Sequence, residues 1–312
     1  MIWVLICLLV LGVAFAPYIA ERRRLVLDDD ARADAPGAFI DLKHGRTHYR
    51  YFGPQSAPLA VCVHGLTTPS FVFEALADGL VAKGYRVLVY DHYGRGFSDR
   101  PNVAQDSAFF VSHLNELLEA LGETESVLLI GYSMGGAIST AYTAAFEERV
   151  QRLVLLAPAG MGHQLGPIAK IIRMVPGLGG WLFMASYGRS HRKGTEKERS
   201  LNSAVPFVVD RQQRELQYRG FLPSVLSSLR NGLRAHSKAD HQSIHAAGTC
   251  VTAIWGAADD VIPLYCKDKM AGWNPAAEQV VVPEAGHSLP YTHPDAVLDQ
   301  IPQAPPEQHR SP

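Results

Sequence analysis

Residues 127–136 read VLLIGYSMGG, an apolar run that leads directly into the pattern Gly-x-Ser-x-Gly. The run is typical of a buried parallel strand, and the small residues after it are typical of a helix packed closely on a sheet. A serine between the two, Ser133, is expected in a strained turn with its hydroxyl exposed. Chance yields this pentapeptide in about one chain in ten of this length, so its placement between strand and helix carries the evidence.

Strand and helix patterns alternate on both sides of this corner. Apolar strand patterns are predicted in the ranges 38–52 (two strands), 59–63, 86–90, 152–156, 249–255 and 278–282. Apolar residues at helical spacing predict a helix that begins near residue 73, and a further helix is predicted from Asp106 to Leu121. Such alternation predicts an α/β fold, with a mostly parallel eight-stranded sheet and helices on both faces.

The alternation is interrupted between two of the predicted strands. Residues 161–247 read as helices only, so we expect a helical lid inserted into a core of residues 37–160 and 248–301. Its first helix has an apolar stripe from Ile168 to Leu178 and is expected to end at the glycine-rich run 176–180. Helices are also expected over Arg211–Gly220 and Pro223–Leu233. The stripe fits the lid's own core, a wall for an acyl chain, or a surface that enters a bilayer.

The N-terminus precedes the whole predicted core. Residues 1–20 contain no charged side chain, and Ile2 to Ile19 is just long enough to cross a bilayer. We interpret residues 1–24 as a retained transmembrane anchor, followed by a charged, linker-like stretch to Pro36. The arginines at 22–24 then place the catalytic domain in the cytoplasm. The alternative is a signal peptide cleaved after Ala14-Phe15-Ala16, which gives a periplasmic or secreted protein.

Composition excludes several classes of function. The formal net charge of −1 does not indicate a nucleic-acid partner. The spacing of the four cysteines suggests neither a disulfide framework nor a zinc site, and we expect no metal and no cofactor. The loop Asp91–Gly96 has the wrong glycine spacing for a dinucleotide fingerprint. A basic stretch from Arg189 to Arg199 is interleaved with glutamates, which is typical of a solvated face; contact with an anionic leaflet is the alternative.

Activation of a serine hydroxyl requires a base, and the base requires an orienting acid. In a sheet of this kind the expected chain order is serine, acid, histidine. His287 directly follows the last predicted strand, and Asp259 and Asp260 follow the strand before it. One aspartate is expected to face the histidine and the other to cap the next helix or face water.

The negative charge that develops on a substrate oxygen requires backbone N–H donors. Met134, directly after the serine, is expected to supply one of them. The loop after His64-Gly65 is expected to supply the other, from Leu66. We interpret His64 as a structural turn residue and not as a catalytic one.

These motifs together resemble the α/β-hydrolase family, in its lidded group of esterases, lipases and C–C bond hydrolases. The resemblance covers residues 39 to about 298 and depends on His64-Gly65, Asp91 with residues 94–98, Gly131–Gly136, Gly256–Pro263 and Gly286-His287. In that family the acid usually stands four residues before the proline, which here is Asp259. The resemblance implies acyl transfer to Ser133 and hydrolysis by water that His287 activates. A serine nucleophile argues against epoxide hydrolases and haloalkane dehalogenases.

The sequence therefore predicts a carboxylic ester hydrolase. The anchor and the apolar lid suggest a small lipophilic ester as substrate, of the monoacylglycerol or lysophospholipid type. A C–C bond hydrolase of the meta-cleavage type, which uses the same triad, is the enzymatic alternative. A catalytically silent ligand-binding hydrolase fold is the alternative from a different class.

Overall fold

The structure is a computed structural model, and it describes residues 1–162, 167–232 and 237–305. The strands are β1 (Ala38–Leu42), β2 (Gly45–Phe52), β3 (Leu59–Val63), β4 (Arg86–Tyr90), β5 (Val127–Tyr132), β6 (Val150–Leu156), β7 (Cys250–Gly256) and β8 (Glu278–Val282). The α-helices are α1 (Ile2–Arg22), α2 (Asp29–Arg32), α3 (Glu74–Ala82), α4 (Ser107–Ala120), α5 (Met134–Ala145), α6 (Pro167–Met174), α7 (Pro176–Glu196), α8 (Val208–Arg214), α9 (Phe221–Asn231), α10 (Lys238–Ala247), α11 (Tyr265–Trp273), α12 (Leu289–Thr292) and α13 (Pro294–Leu298).

The strands form one sheet in the order β1-β2-β4-β3-β5-β6-β7-β8. β2 pairs antiparallel with both β1 and β4, and every pairing from β4 to β8 is parallel. All residues of the central strands β3 and β5 are buried, because helices cover both of their faces. The predicted fold class, an eight-stranded and mostly parallel sheet, is confirmed.

Two apolar cores lie on the two faces of the sheet. One contains buried side chains of α4, α5, α10 and α11, and the other contains those of α3, α12 and α13. Successive residues of β3 alternate between them: Val61 and Val63 belong to the first core, Ala60 and Cys62 to the second. This alternation follows from the two-residue period of a strand.

The inserted helices lie between β6 and β7 and have their own apolar cluster, which includes Phe183, Phe221 and Val225. The apolar stripe does not end in a glycine-rich terminator as expected. Instead α6 ends at Met174, and the 21-residue helix α7 begins at Pro176. Proline at the first helical position costs no hydrogen bond, because the N–H it lacks would have no acceptor within the helix. The glycines that follow it are part of α7. The side chain of Ile168 and residue Leu233 lie outside the described residues.

The helix expected over Arg211–Gly220 is shorter and begins earlier. α8 ends at Arg214, and a 3₁₀ turn from Glu215 to Gln217 follows it. The helix α10 contacts α5 and α11, which cover one face of the sheet. We therefore propose that the insertion consists of α6 to α9, and that α10 belongs with the core.

The N-terminal helix α1 is contiguous with the inserted helices in space. α1 contacts α7, and the stretch after it is not a free linker. The N–H of Leu25 donates to the carbonyl of Gln217 (3.0 Å), and the N–H of Arg219 donates to the carbonyl of Leu25 (2.8 Å). Further along, the guanidinium of Arg32 is paired with Asp99 in the core. The chain between helix and core is therefore fixed by hydrogen bonds.

Glycines allow α5 to approach the sheet closely. A Cβ added at Gly135 would overlap the carbonyl oxygens of Val63 and His64, and one at Gly136 would lie 2.7 Å from the Cβ of Pro158. The atoms that these added Cβ groups would meet include backbone atoms, which cannot move aside as the end of a flexible side chain can.

We predict that Gly135→Ala lowers the free energy of unfolding by about 3 kcal/mol or more, because the added methyl group forces α5 away from β3. The measurement is thermal unfolding of the full chain in detergent. Gly272→Ala is the matched control, since a Cβ at Gly272 in α11 meets no heavy atom within 4 Å. The control is expected to be neutral or stabilising by up to about 1 kcal/mol. Equal midpoints for the two variants would contradict the packing argument.

Candidate active site

Ser133 occupies the corner between β5 and α5 with φ 54° and ψ −118°. A positive φ is uncommon for a residue with a side chain and persists only where the surroundings fix it. Here the N–H of Ser133 donates to the carbonyl of Leu156, and its carbonyl accepts from the N–H groups of Gly136 and Ala159, each at 2.9 Å. These bonds hold the strained corner, which presents the Ser133 hydroxyl at the carboxyl end of the sheet.

His287 lies in the loop between β8 and α12, at the same edge of the sheet. Its Nε2 is 3.0 Å from the Oγ of Ser133, although 154 residues separate the two in the chain. The hydroxyl of Tyr132, the residue before the serine, donates to the carbonyl of His287 (2.9 Å). The strand that carries the serine thus also fixes the backbone of the histidine.

Asp259 lies in the loop between β7 and α11, and it is the aspartate that faces the histidine. Its Oδ2 is 2.8 Å from the Nδ1 of His287, and its Oδ1 accepts from the N–H groups of Val261 and Ile262, both at 2.8 Å. Asp259 is 8% exposed, whereas Asp260 is exposed to solvent. The structure therefore brings together Ser133, His287 and Asp259 and leaves Asp260 outside the group.

The two predicted donors of the oxyanion site flank the serine. Met134 is the first residue of α5, where a helical N–H has no acceptor within the helix. The backbone that carries Leu66 passes close to the serine, since a Cβ added at Gly65 would lie 3.3 Å from the Cβ of Ser133. Within the described ranges, no hydrogen bond from the N–H of Leu66 is found. That these two N–H groups bind a substrate oxygen stays a prediction.

The side chain of His64 forms hydrogen bonds with the backbone of this loop and of the neighbouring one. Its Nε2 accepts from the N–H of His92 (2.9 Å), and its Nδ1 donates to the carbonyl of Gly65 (2.8 Å). The Nε2 of His92 in turn donates to the carbonyl of His64 (3.0 Å). Burial lowers the pKa of His64 to about 4, so its ring is neutral near pH 7 and can accept. This arrangement agrees with the structural interpretation of His64.

Arg95 is a residue whose position the sequence analysis missed. It is fully buried, and its guanidinium donates to the carbonyls of Leu66 (2.9 Å) and Tyr93 (3.0 Å), to Gln105, and to the hydroxyl of Ser228 in α9 (2.8 Å). Burial lowers its pKa to about 9, which still leaves it charged near pH 7. Arg95 therefore joins the loop of Leu66 to the inserted helices. The available signal was an arginine between two glycines, in the loop that follows the buried strand β4.

The carboxylate of Asp91 also fixes the loops around the site, through hydrogen bonds that it accepts. Its Oδ2 accepts from the Nδ1 of His48 (2.8 Å) and the N–H of Phe97 (3.0 Å), and its Oδ1 accepts from the N–H of Ser70 (2.9 Å). Burial by itself would raise the pKa of this carboxyl, but the neighbouring His48 and the N–H donor lower it well below its ordinary range. Asp91 is thus an ionised support of the site.

Among the described residues, no group of three or more His, Cys, Asp or Glu side chains is arranged to hold a metal ion. The chemistry that this arrangement supports is nucleophilic: a hydroxyl, a base within hydrogen-bond distance, an orienting carboxylate and two N–H donors.

Comparison with known proteins gives a family match over most of the chain. The model of the alpha/beta hydrolase family matches residues 60–300. A 2-hydroxymuconate semialdehyde hydrolase from Pseudomonas sp. (strain CF600) is 29% identical over 228 residues, which are 68% of this chain and 74% of the relative. A cis-3-alkyl-4-alkyloxetan-2-one decarboxylase from Shewanella oneidensis is 33% identical over 124 residues, but this match spans only 37% of the relative and 38% of this chain.

The fold is shared with solved structures of low sequence identity. An esterase from Exiguobacterium antarcticum superposes with a TM-score of 0.68 at 20% identity, over 84% of this chain and 97% of the esterase.

We predict that Asp259→Asn lowers the rate at which Ser133 reacts with a fluorophosphonate probe by about 10⁴-fold, because an amide does not hold His287 in the tautomer that accepts the serine proton. Asp260→Asn, one residue away and exposed, is the matched control and is expected to react at the wild-type rate. A larger loss for the Asp260 variant would contradict the assignment of Asp259.

The buried histidines also predict a dependence of stability on pH. Burial lowers the pKa of His113 to about 3, so between about pH 6.5 and pH 3 the unfolded chain binds a proton that the folded chain does not. Stability therefore falls as pH decreases, by about 1.4 kcal/mol per pH unit for each such histidine.

We expect His113→Phe, which retains a ring beside Tyr93, to reduce this slope by about 1.4 kcal/mol per pH unit between pH 6 and pH 5. Urea denaturation in detergent at several pH values measures it. His245→Phe, the same substitution at an exposed position, is the matched control. Parallel curves for wild type and His113→Phe would refute the explanation.

Proposed function

The chain belongs to the α/β-hydrolase family, and we propose that it is a serine hydrolase that cleaves the carboxylic ester of a lipophilic substrate. The observation that carries the proposal is the hydrogen-bond chain from Asp259 through His287 to Ser133, with distances of 2.8 and 3.0 Å. In the proposed roles, Ser133 is the nucleophile, His287 the base and Asp259 the orienting acid. Leu66 and Met134 are the proposed oxyanion donors.

The proposed reaction has two halves. His287 takes the proton of Ser133 as the oxygen attacks the ester carbonyl, and the N–H groups of Leu66 and Met134 stabilise the resulting oxyanion. His287 then gives the proton to the leaving alcohol, and an acyl group remains on Ser133. A water molecule, deprotonated by His287, attacks this acyl-enzyme, and the carboxylic acid and free serine are released.

A lipophilic substrate is proposed from the surroundings of the site. The side chain of Leu66 packs against the apolar cluster of the inserted helices, which contains Phe183 and Phe221. In the same inserted helices, Met174 of α6 and Leu178 of α7 expose 72% and 57% of their surface. An apolar cluster of inserted helices that packs against Leu66, in the loop beside the serine, favours an acyl chain over a polar substrate.

We also propose that α1 is a retained membrane anchor and that the catalytic domain is cytoplasmic. The helix is long and apolar enough to cross a membrane, a property that signal sequences share. The Nε1 of Trp181 in α7 donates to the carbonyl of Val13 (3.1 Å), within the part that cleavage after Ala16 would remove. A cleaved form would lose this contact, which supports the anchor. The intact mass of the mature protein distinguishes the two forms.

A second candidate function rests on one comparison. The relative that covers 68% of this chain is a 2-hydroxymuconate semialdehyde hydrolase. A C–C bond hydrolase of the meta-cleavage type therefore remains the alternative proposal, and turnover of a ring-fission product tests it. A silent ligand-binding role is less well supported, because the serine and histidine are within hydrogen-bond distance.

We predict that Ser133→Ala lowers the hydrolysis of p-nitrophenyl esters and monoacylglycerols by about 10⁶-fold, because the nucleophile is removed. The assay compares ester panels of increasing chain length, and rates are expected to rise with length. Ser243→Ala, an exposed serine of α10, is the control for the substitution itself. Equal rates for wild type and Ser133→Ala would reject the ester hydrolase, and turnover of the ring-fission product alone would favour the second candidate.

A further inference from the structure

A cavity of about 1030 Å³ lies between α1 and the inserted helices α7 and α9. Neither Ser133, His287 nor Asp259 is among the residues that line it. One wall is the C-terminal part of α1, with Phe15 and Ile19. The opposite wall includes Met184 of α7 and Leu226 of α9. The cavity is therefore separate from the catalytic group and is formed only while α1 is present.

The end of α1 is fixed to the rest of the protein, so the cavity is a built feature. The Oε1 of Glu21 accepts from the N–H of Gly220, the residue before α9 (2.7 Å), and its Oε2 is 2.7 Å from the Nε of Arg24. Glu21 is only 6% exposed. A carboxylate at a helix N-terminus is favourable, and this one joins the two walls of the cavity.

Charged side chains line the cavity near the end of α1, where the carboxylate of Glu21 is accompanied by arginines. The exposed residues Arg22 and Arg219 line the cavity, and no hydrogen bond or ion pair of either guanidinium is found in the described part of the chain. Two other arginines that line the cavity do have partners. Arg230 donates to the carbonyls of Ile172 and Pro176, and Arg100 pairs with Glu215. Because Glu21 is already bound to Gly220 and Arg24, Arg22 and Arg219 are the two cations of the lining without a partner in the described ranges.

We propose that this cavity binds a membrane phospholipid with an anionic head group. One acyl chain lies along Phe15, Ile19, Met184 and Leu226, and the phosphate meets Arg22 and Arg219. The proposal rests on α1 as a membrane helix. A helix of 21 residues extends about 31 Å, roughly the thickness of the hydrocarbon layer, so Tyr18 and Arg22 lie at the level of the head groups.

The experiment uses the full chain in nanodiscs that contain equal amounts of phosphatidylglycerol and phosphatidylcholine. Native mass spectrometry of the released protein measures which lipid stays bound. The wild type is expected to retain phosphatidylglycerol in preference to phosphatidylcholine, and excess inorganic phosphate is expected not to displace it. Displacement by phosphate would overturn the lipid assignment in favour of a site for free anions.

The double variant Arg22→Gln/Arg219→Gln is expected to reduce the retained phosphatidylglycerol by at least about tenfold, as expected for the loss of two cations at an anionic surface. Arg23→Gln/Arg189→Gln removes the same charge from exposed arginines that do not line the cavity, and is expected to retain the lipid. Equal retention by both double variants would overturn the proposal, because lipid binding would then reflect overall charge.

A second variant tests the apolar part without altering charge. A Cβ added at Gly180 in α7 lies 3.6 Å from its nearest neighbours, Arg230 and Tyr18, so Gly180→Leu fits locally and its outer atoms enter the cavity. This variant is expected to lose the lipid as well. Retention at the wild-type level would contradict the proposed chain position. The readout does not involve hydrolysis, so it stands or fails separately from the ester hydrolase, and Ser133→Ala is expected to bind the lipid normally.

Discussion

The strained backbone of Ser133 is the constraint on which the site depends. Its positive φ is held by hydrogen bonds to Leu156, Gly136 and Ala159, and Gly135 lets α5 lie against β3. Because β3, β5, β7 and β8 run parallel, their following loops meet at the same edge as this corner. The sheet therefore supplies proximity, and the corner determines where the hydroxyl points.

Much of this arrangement was predictable from the chain alone, since parallel strands and the loops after them follow from apolar runs and turn residues. Ser133 and His287 were identified by position relative to strands. The residues themselves left Asp259 and Asp260 open, because two adjacent side chains point in different directions and only the loop geometry decides between them. Arg95 was missed because its partners Leu66 and Ser228 are distant in sequence.

The boundaries of the inserted helices could not be predicted from the periodicity of apolar residues alone. A proline followed by glycines predicts the end of a helix, yet α7 begins at Pro176. A helix tolerates proline at its first position, and tertiary packing compensates for the low helix propensity of the glycines. By sequence position α10 is predicted in the insertion; its contacts with α5 and α11 are the reason for proposing that it belongs with the core. Such boundaries depend on what a helix packs against, which its own pattern does not state.

The bond from Glu21 to Gly220 has a practical consequence for preparing the protein in solution. Removal of the apolar N-terminus is an obvious step toward a soluble form, and a cut after the arginines at 22–24 separates α1 from the rest of the chain. Such a form would leave the start of α9 without its carboxylate partner. α9 also carries Ser228, which contacts Arg95 and through it the loop of Leu66. A truncated form should therefore begin no later than residue 20.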